Sequence, residues 1–235
     1  MNRMARVAAF VGVLTLALAS SGSASSLSLT SQNLTPYRTC VVSGTPTTTT
    51  AVADASVRQA SATSNFGTQT TNDVASANAA NRRLYIRFDL TVCSPAIPSS
   101  ATIRLATLRM YASALPAACR TNDVFRVTAT WTEGAITWNN QPFGTTLNNP
   151  ATGSRTTSFD SGTPVGCQFG AAGFTTATVT TDVAAWVSGS AANYGWMIRD
   201  DVESSATART TTFSAKNLGT AAQVPMLVIS YVTVP

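Results

Sequence analysis

The stretch Leu84-Tyr85-Ile86-Arg87-Phe88-Asp89-Leu90 alternates strictly between apolar and polar side chains. Leu84, Ile86, Phe88 and Leu90 share one phase, and Tyr85, Arg87 and Asp89 share the other. Successive strand side chains point to opposite faces, so this period of two predicts a half-buried β-strand. The same reading extends outward along the chain. Val124 to Trp131 alternates and is expected to bury Phe125, Val127, Ala129 and Trp131. Tyr194, Trp196 and Ile198 form one face of a further strand. Met226 to Thr233 is β-rich and apolar on both phases, as in a central or closing strand. Ile103 to Ala112 changes parity part-way, which predicts a β-bulge near Ala106-Thr107.

Helical signals are scarce. Val183, Trp186 and Val187 recur at helical spacing, predicting one short turn over Asp182–Ser188 with Thr181 or Asp182 as N-cap. Turn signals such as Asn65-Phe66-Gly67 and Asn217-Leu218-Gly219 separate the remaining strands. Many short strands without long helices predict an all-β fold, an antiparallel jelly-roll β-sandwich. The 235 residues are 44% hydrophobic and 11% charged, which suits one large sandwich domain rather than a disordered chain.

Residues 1–24 read as an export signal. Arg3 and Arg6 precede the apolar run Val7 to Ala19, and Gly22-Ser23-Ala24 supplies small residues at the cleavage site. The apolar run is shorter than the ~20 residues a membrane span needs, so no membrane insertion is expected after cleavage. Residues 25–50 are Ser/Thr-rich and end in Thr47 to Thr50, as an extended leader before a domain over residues 51–235. The expected location is therefore secreted, in the medium or on the cell surface. The net charge of +5 is scattered rather than concentrated, which argues against nucleic-acid binding.

Cys40, Cys93, Cys119 and Cys167 are an even set in an exported chain and predict two disulfides. Three pairings are open, and Cys93–Cys119 with Cys40–Cys167 is the favoured one. There is no histidine and no CxxC pair, so a zinc site is not expected.

Several segments together resemble a known family. Ala53 to Arg58 followed by Asn65-Phe66-Gly67, Arg83 to Leu90, and Ala106 to Tyr111 are similar to strands of the DNRLRE domain, also classified as carbohydrate-binding module family 96. The most specific stretch is Trp131-Thr132-Glu133 followed by Thr137-Trp138-Asn139-Asn140-Gln141-Pro142. Asp182-Val183, Ala185-Trp186-Val187, Asn193-Tyr194-Gly195 and Phe213-Ser214 complete the order. The resemblance covers about Ala51 to Val232. It implies a jelly-roll sandwich of exported bacterial proteins, binding of acidic polysaccharide in some members, and a polysaccharide partner here.

The residues themselves point the same way on catalysis. Without histidine, the usual Ser-His-Asp and Cys-His machinery is impossible. The ten acidic residues do not nominate an acid/base pair by spacing, so no catalytic activity is expected. Candidate ligand-binding residues are Arg87, Arg126 and Arg199, which would form a basic stripe suited to uronate carboxylates if their strands share a face. Cross-strand pairing with acids such as Asp89 is the competing arrangement. Trp138, Asn140 and Gln141 could make a stacking and hydrogen-bonding sugar platform, or could close a structural turn; Trp131 reads first as core. The one candidate cofactor is a structural calcium ion held by Asp54, Asp200, Asp201 and Glu203. The alternative function is a structural or adhesive surface sandwich with Thr-rich faces such as Thr175 to Thr181.

Overall fold

A computed structural model describes residues 37–44, 50–163 and 167–233. The signal, most of the Ser/Thr-rich leader and the run through Thr49 lie outside the described residues. Eleven strands are present among those described: β1 Tyr37–Ser43, β2 Val52–Arg58, β3 Thr71–Ser76, β4 Arg82–Phe88, β5 Thr102–Ala114, β6 Arg120–Arg126, β7 Thr157–Ser161, β8 Gly173–Thr178, β9 Trp196–Asp200, β10 Arg209–Ser214 and β11 Met226–Val232. One helix, α1 Thr180–Val187, separates β8 from β9.

Every strand pair is antiparallel. β1, β11, β5 and β8 are joined side by side, with β10 and β3 continuing from the far end of β5. β2, β4, β9, β6 and β7 form a second run in that order. A single partner pair, Ala75 and Arg82, links the two runs. The two runs face each other over one apolar core. Ala106, Leu108 and Met110 of β5 and Leu227 and Ile229 of β11 meet Leu84, Ile86 and Phe88 of β4 and Trp196 and Ile198 of β9 there. The expected jelly-roll sandwich is the fold found, and the phase of Leu84, Ile86 and Phe88 is the inner one.

The opposite phase is buried as well, which the alternation did not foretell. Tyr85, Met197, Phe125, Ala55 and Val57 form a second apolar cluster with Trp131, Ile136 and Trp138. Those tryptophans lie on the long connection from β6 to β7, which folds back over the outer face of the second layer. Connections of this length without regular structure are uncommon in compact domains, and this one is held as a lid on the sheet. Asn65 anchors it: its Nδ2 donates to the carbonyls of Glu133 at 2.7 Å and Ile136 at 2.8 Å. The N–H of Gly67 donates to Asn65 Oδ1 at 3.1 Å, and the same Asn-x-Gly turn recurs at Asn193 and Gly195. There Asn193 Nδ2 donates to the Phe88 carbonyl at 2.7 Å. Gly195 has φ of +74°, and a Cβ on it would strike the Ile86 carbonyl, so both conformation and space require glycine.

The deepest anchor of the lid is Arg83. It is fully buried and makes two parallel bonds to Glu203, Nε to Oε1 at 2.7 Å and Nη2 to Oε2 at 2.8 Å. Its remaining donors reach the carbonyls of Gly144 at 2.9 Å and Thr146 at 2.7 Å and the side chain of Gln141 at 3.1 Å. Its guanidinium lies 4.7 Å from the Trp138 ring centre.

Several local expectations are corrected. The disulfides are Cys40–Cys93 and Cys119–Cys167, with Cα atoms 5.6 and 5.5 Å apart, not Cys93–Cys119 and Cys40–Cys167. The reason is topological. Tyr37–Ser43 is an edge strand of the domain, paired along its length with β11, and it brings Cys40 to the loop after β4. The folded domain thus takes in residues expected to be leader. The bulge in β5 lies at Arg104, between the partners Ser230–Leu105 and Tyr231–Ile103. It turns Ile103 and Ala106 inward and leaves Leu105 exposed. Strand β6 ends at Arg126, so Ala129 is exposed rather than buried. The helix starts at Thr180 behind Val179, with no side-chain cap. Asp182 instead accepts from Thr156 Oγ1 at 2.6 Å and Trp196 Nε1 at 2.8 Å.

Candidate functional site

The structure distributes the expected site residues rather than gathering them. Arg199 is fully buried beneath the lid, 4.9 Å from the Phe125 ring. It donates to the carbonyls of Asp200 at 2.6 Å, Asp201 at 2.9 Å and Pro150 at 2.7 Å. Burial lowers its pKa from the usual arginine value, against the pull of Glu203 and Asp123. It is a strut, and no polymer could reach it. Arg126 belongs to the other phase, and its Nη1 lies 3.5 Å from Asp182. The three arginines therefore do not form a stripe.

Trp138 is buried under Arg83. Gln141 is buried too. Its amide donates to the Trp138 carbonyl at 2.9 Å, and its oxygen accepts from Arg83 and Tyr85. Asn140 is exposed, but its oxygen takes the Thr137 N–H at 2.7 Å and its amide gives to the Ala135 carbonyl at 2.9 Å. The Trp-Asn-Asn-Gln-Pro stretch builds the lid's turn, the structural one of its two readings, with Trp138 and Gln141 buried.

The calcium candidates also fail to meet. Asp200 is gripped by Arg209, with contacts of 2.8 and 3.0 Å, and by Arg120. Burial disfavours its charge, yet these hydrogen bonds outweigh burial and hold its pKa below the ordinary value. Arg120 also binds Asp201, and Glu203 belongs to Arg83. Asp54 sits apart, accepting the Lys216 N–H at 2.8 Å, with Glu133 and Lys216 beside it. Burial above all, with Glu133 adding to it, raises the Asp54 pKa to about 7. Among the described residues no three Asp, Glu or Cys side chains gather as a metal site. Asp200, Asp201 and Glu203 are already paired with arginine, which does not fit a calcium ion.

One expected residue remains available. Arg87 leaves the outer phase of β4 at the end of the sandwich, with its guanidinium 5.6 Å from the Trp131 ring. Among the described residues no carboxylate lies within salt-bridge distance of it. It lines a cleft of about 360 Å³ with Thr50, Asp89, Thr91, Trp186 and Asn193. Asp89 Oδ1 is occupied by the N–H and hydroxyl of Thr91, at 2.9 and 2.7 Å. The Nε1 of Trp186 is buried and has no acceptor among the described residues. The cleft offers one cation, one carboxylate, two threonine hydroxyls and an indole edge. That set can hold a hydroxyl-rich ligand bearing a negative charge.

A sequence profile of carbohydrate-binding module family 96 matches residues 45–231. The chain belongs to that family. A search of curated proteins finds no match. The matched span takes in every strand but β1, together with the lid and the Arg87 cleft, of this family 96 module. Trp131-Thr132-Glu133 and Trp138 to Pro142, the most family-like stretch, form its lid. Asn193 and Trp186 belong to the same family-like segments and flank the cleft, although nothing in their local sequence marks them as ligand contacts. The Asn-x-Gly pattern at Asn193 was visible, but its position beside Arg87 depends on a strand pairing between β4 and β9.

Proposed function

We propose that this is a non-catalytic module that holds an anionic, uronate-containing polysaccharide through the Arg87 cleft, outside the cell after export on residues 1–24. Membership of a carbohydrate-binding family supplies the ligand class. The single observation that carries the anionic preference is Arg87: half-buried, backed by an indole ring, and without an acidic partner among the described residues. A guanidinium held in this way loses little freedom when it forks onto a carboxylate. The two disulfides fit an oxidising compartment, and no helix among the described residues could cross a membrane.

The test is retention of the purified protein on a polyuronate against a neutral glucan. Arg87→Ala should weaken polyuronate binding by about tenfold or more, the loss expected for one charge-assisted hydrogen-bonded pair. The difference should shrink as salt rises. Equal binding of both polymers, or an unchanged affinity in Arg87→Ala, would refute the assignment. The alternative of an adhesive sandwich with no sugar site gains from the burial of Trp138, Gln141 and Arg199. Failure to retain any polysaccharide would favour it.

A further inference from the structure

The outer surface of the opposite layer carries a second arginine of the same kind. Arg109 of β5 lies with its guanidinium 4.6 Å from the Phe174 ring centre. Among the described residues its donors reach only the Met226 sulfur, at 3.7 Å, a weak acceptor. Tyr111 meets the same Phe174 ring edge-on, with centroids 5.5 Å apart. The register places these groups side by side on one face. Arg109 is the cross-strand partner of both Met226 and Thr176, and Tyr111 is the partner of Phe174. Thr107 and Thr178 are partners in the row beside them. Thr176 and Thr178 are exposed, while Thr175 and Ala177 turn inward, Thr175 donating its hydroxyl to the Met110 carbonyl at 3.0 Å.

Charge is distributed in one sense only. None of the four strands β1, β11, β5 and β8 contains an acidic residue, while they contain Arg38, Arg104 and Arg109. The second layer is different: there Asp123, Asp160 and Asp200 stand on or beside the strands and pair with basic or polar side chains. The bulge at Arg104 places that residue on the exposed side of β5. From Arg104 to Tyr111 the strand runs roughly 23 Å at about 3.3 Å per residue. The result is a strip of arginines, aromatic rings and threonine hydroxyls on one sheet.

We propose that this strip is a second binding surface, for an extended segment of anionic polysaccharide, on the face of the sandwich away from the lid. Arg109, backed by Phe174, would fork onto a sugar carboxylate, with Tyr111 against a sugar ring and Thr176 and Thr178 bonding hydroxyls. Such an arrangement makes the module bivalent for one long polymer or able to bridge two chains. The ligand class rests on the proposed function; the location does not.

The test uses the purified exported protein with a short oligouronate and with the full-length polyuronate. Calorimetry of the unaltered protein should count two sites per chain for the oligouronate. Arg109→Ala should leave one, Arg87→Ala should leave the other, and the double variant none. Thr176→Glu should act like Arg109→Ala, because it sets a carboxylate opposite Arg109 without removing any packed group. On full-length polymer, the loss of either site should reduce apparent affinity by tenfold or more through lost avidity. If Arg109→Ala and Thr176→Glu both leave site number and polymer affinity unchanged, the strip is not a binding surface. If those variants abolish binding while Arg87→Ala does not, the strip stands and the cleft assignment falls. No binding of either ligand by the unaltered protein would overturn both. A concentration-dependent dimer dispersed by Phe174→Ala would show that a second copy occupies the strip, and would also overturn it.

Discussion

Replacing Glu203 by alanine tests whether the lid is locked from below by a buried ion pair. In the native protein Arg83 and Glu203 are both without solvent exposure and share two parallel bonds of 2.7 and 2.8 Å. Glu203 also accepts the Asn148 N–H at 2.6 Å, so it ties sheet and lid at once. Removing it leaves a guanidinium buried with only neutral acceptors and leaves the Asn148 N–H without its partner. Breaking a buried pair from one side costs about 3–5 kcal/mol. For a domain of this size each kcal/mol moves the melting temperature by about 2–4 °C, so the expected fall is roughly 6–20 °C. Thermal unfolding with the disulfides intact measures it directly. Replacing both partners, Arg83→Met with Glu203→Leu, should recover a large part of the loss, since no charge is then left buried. A fall of less than about 3 °C for Glu203→Ala, or a double variant no better than the single, would refute the lock.

The other stability predictions concern Asp54 and the disulfide near it in the chain. Because the Asp54 pKa is raised to about 7 in the fold, ionising it opposes folding: its effect is absent below about pH 4 and grows as pH rises towards 7. Asp54→Asn should therefore remove a loss on the order of 3–4 kcal/mol between those limits. Denaturant titrations at pH 4 and pH 8 would show it, and parallel pH dependence in the two proteins would exclude it. Cys40→Ser opens a loop with a sequence separation of 53 and should cost about 4 kcal/mol on loop entropy. Non-reducing peptide mapping should recover Cys40 with Cys93 and Cys119 with Cys167, and any other pairing would contradict the strand order.

The inner core was legible because alternation needs only neighbours in sequence. Leu84, Ile86 and Phe88 announce a buried face wherever the strand is placed. The parity change in β5 was legible for the same reason, although its site moved to Arg104, since the bulge is fixed by the partner strand β11. The candidate binding residues were far less legible. Arg87, Arg126 and Arg199 look alike in sequence, each on a strand and each flanked by apolar residues. The fold makes the first a cleft wall, the second the partner of Asp182, and the third a buried strut. Arg109 drew no notice, because nothing near it in sequence announces Phe174 or the acid-free strands on either side of it.

By itself the sequence determined the all-β class, the cysteine count, the absence of histidine chemistry and the residues that carry the family resemblance. These depend on composition, period and order, which any conformation of the chain preserves. Only the tertiary structure decided which cysteines pair, which face the Trp-Asn-Asn-Gln-Pro stretch covers, and which arginines remain open to a ligand. Those outcomes depend on contacts between residues far apart in the chain. A guanidinium becomes a strut or a site according to whether a distant carboxylate, such as Glu203 opposite Arg83, is brought to meet it.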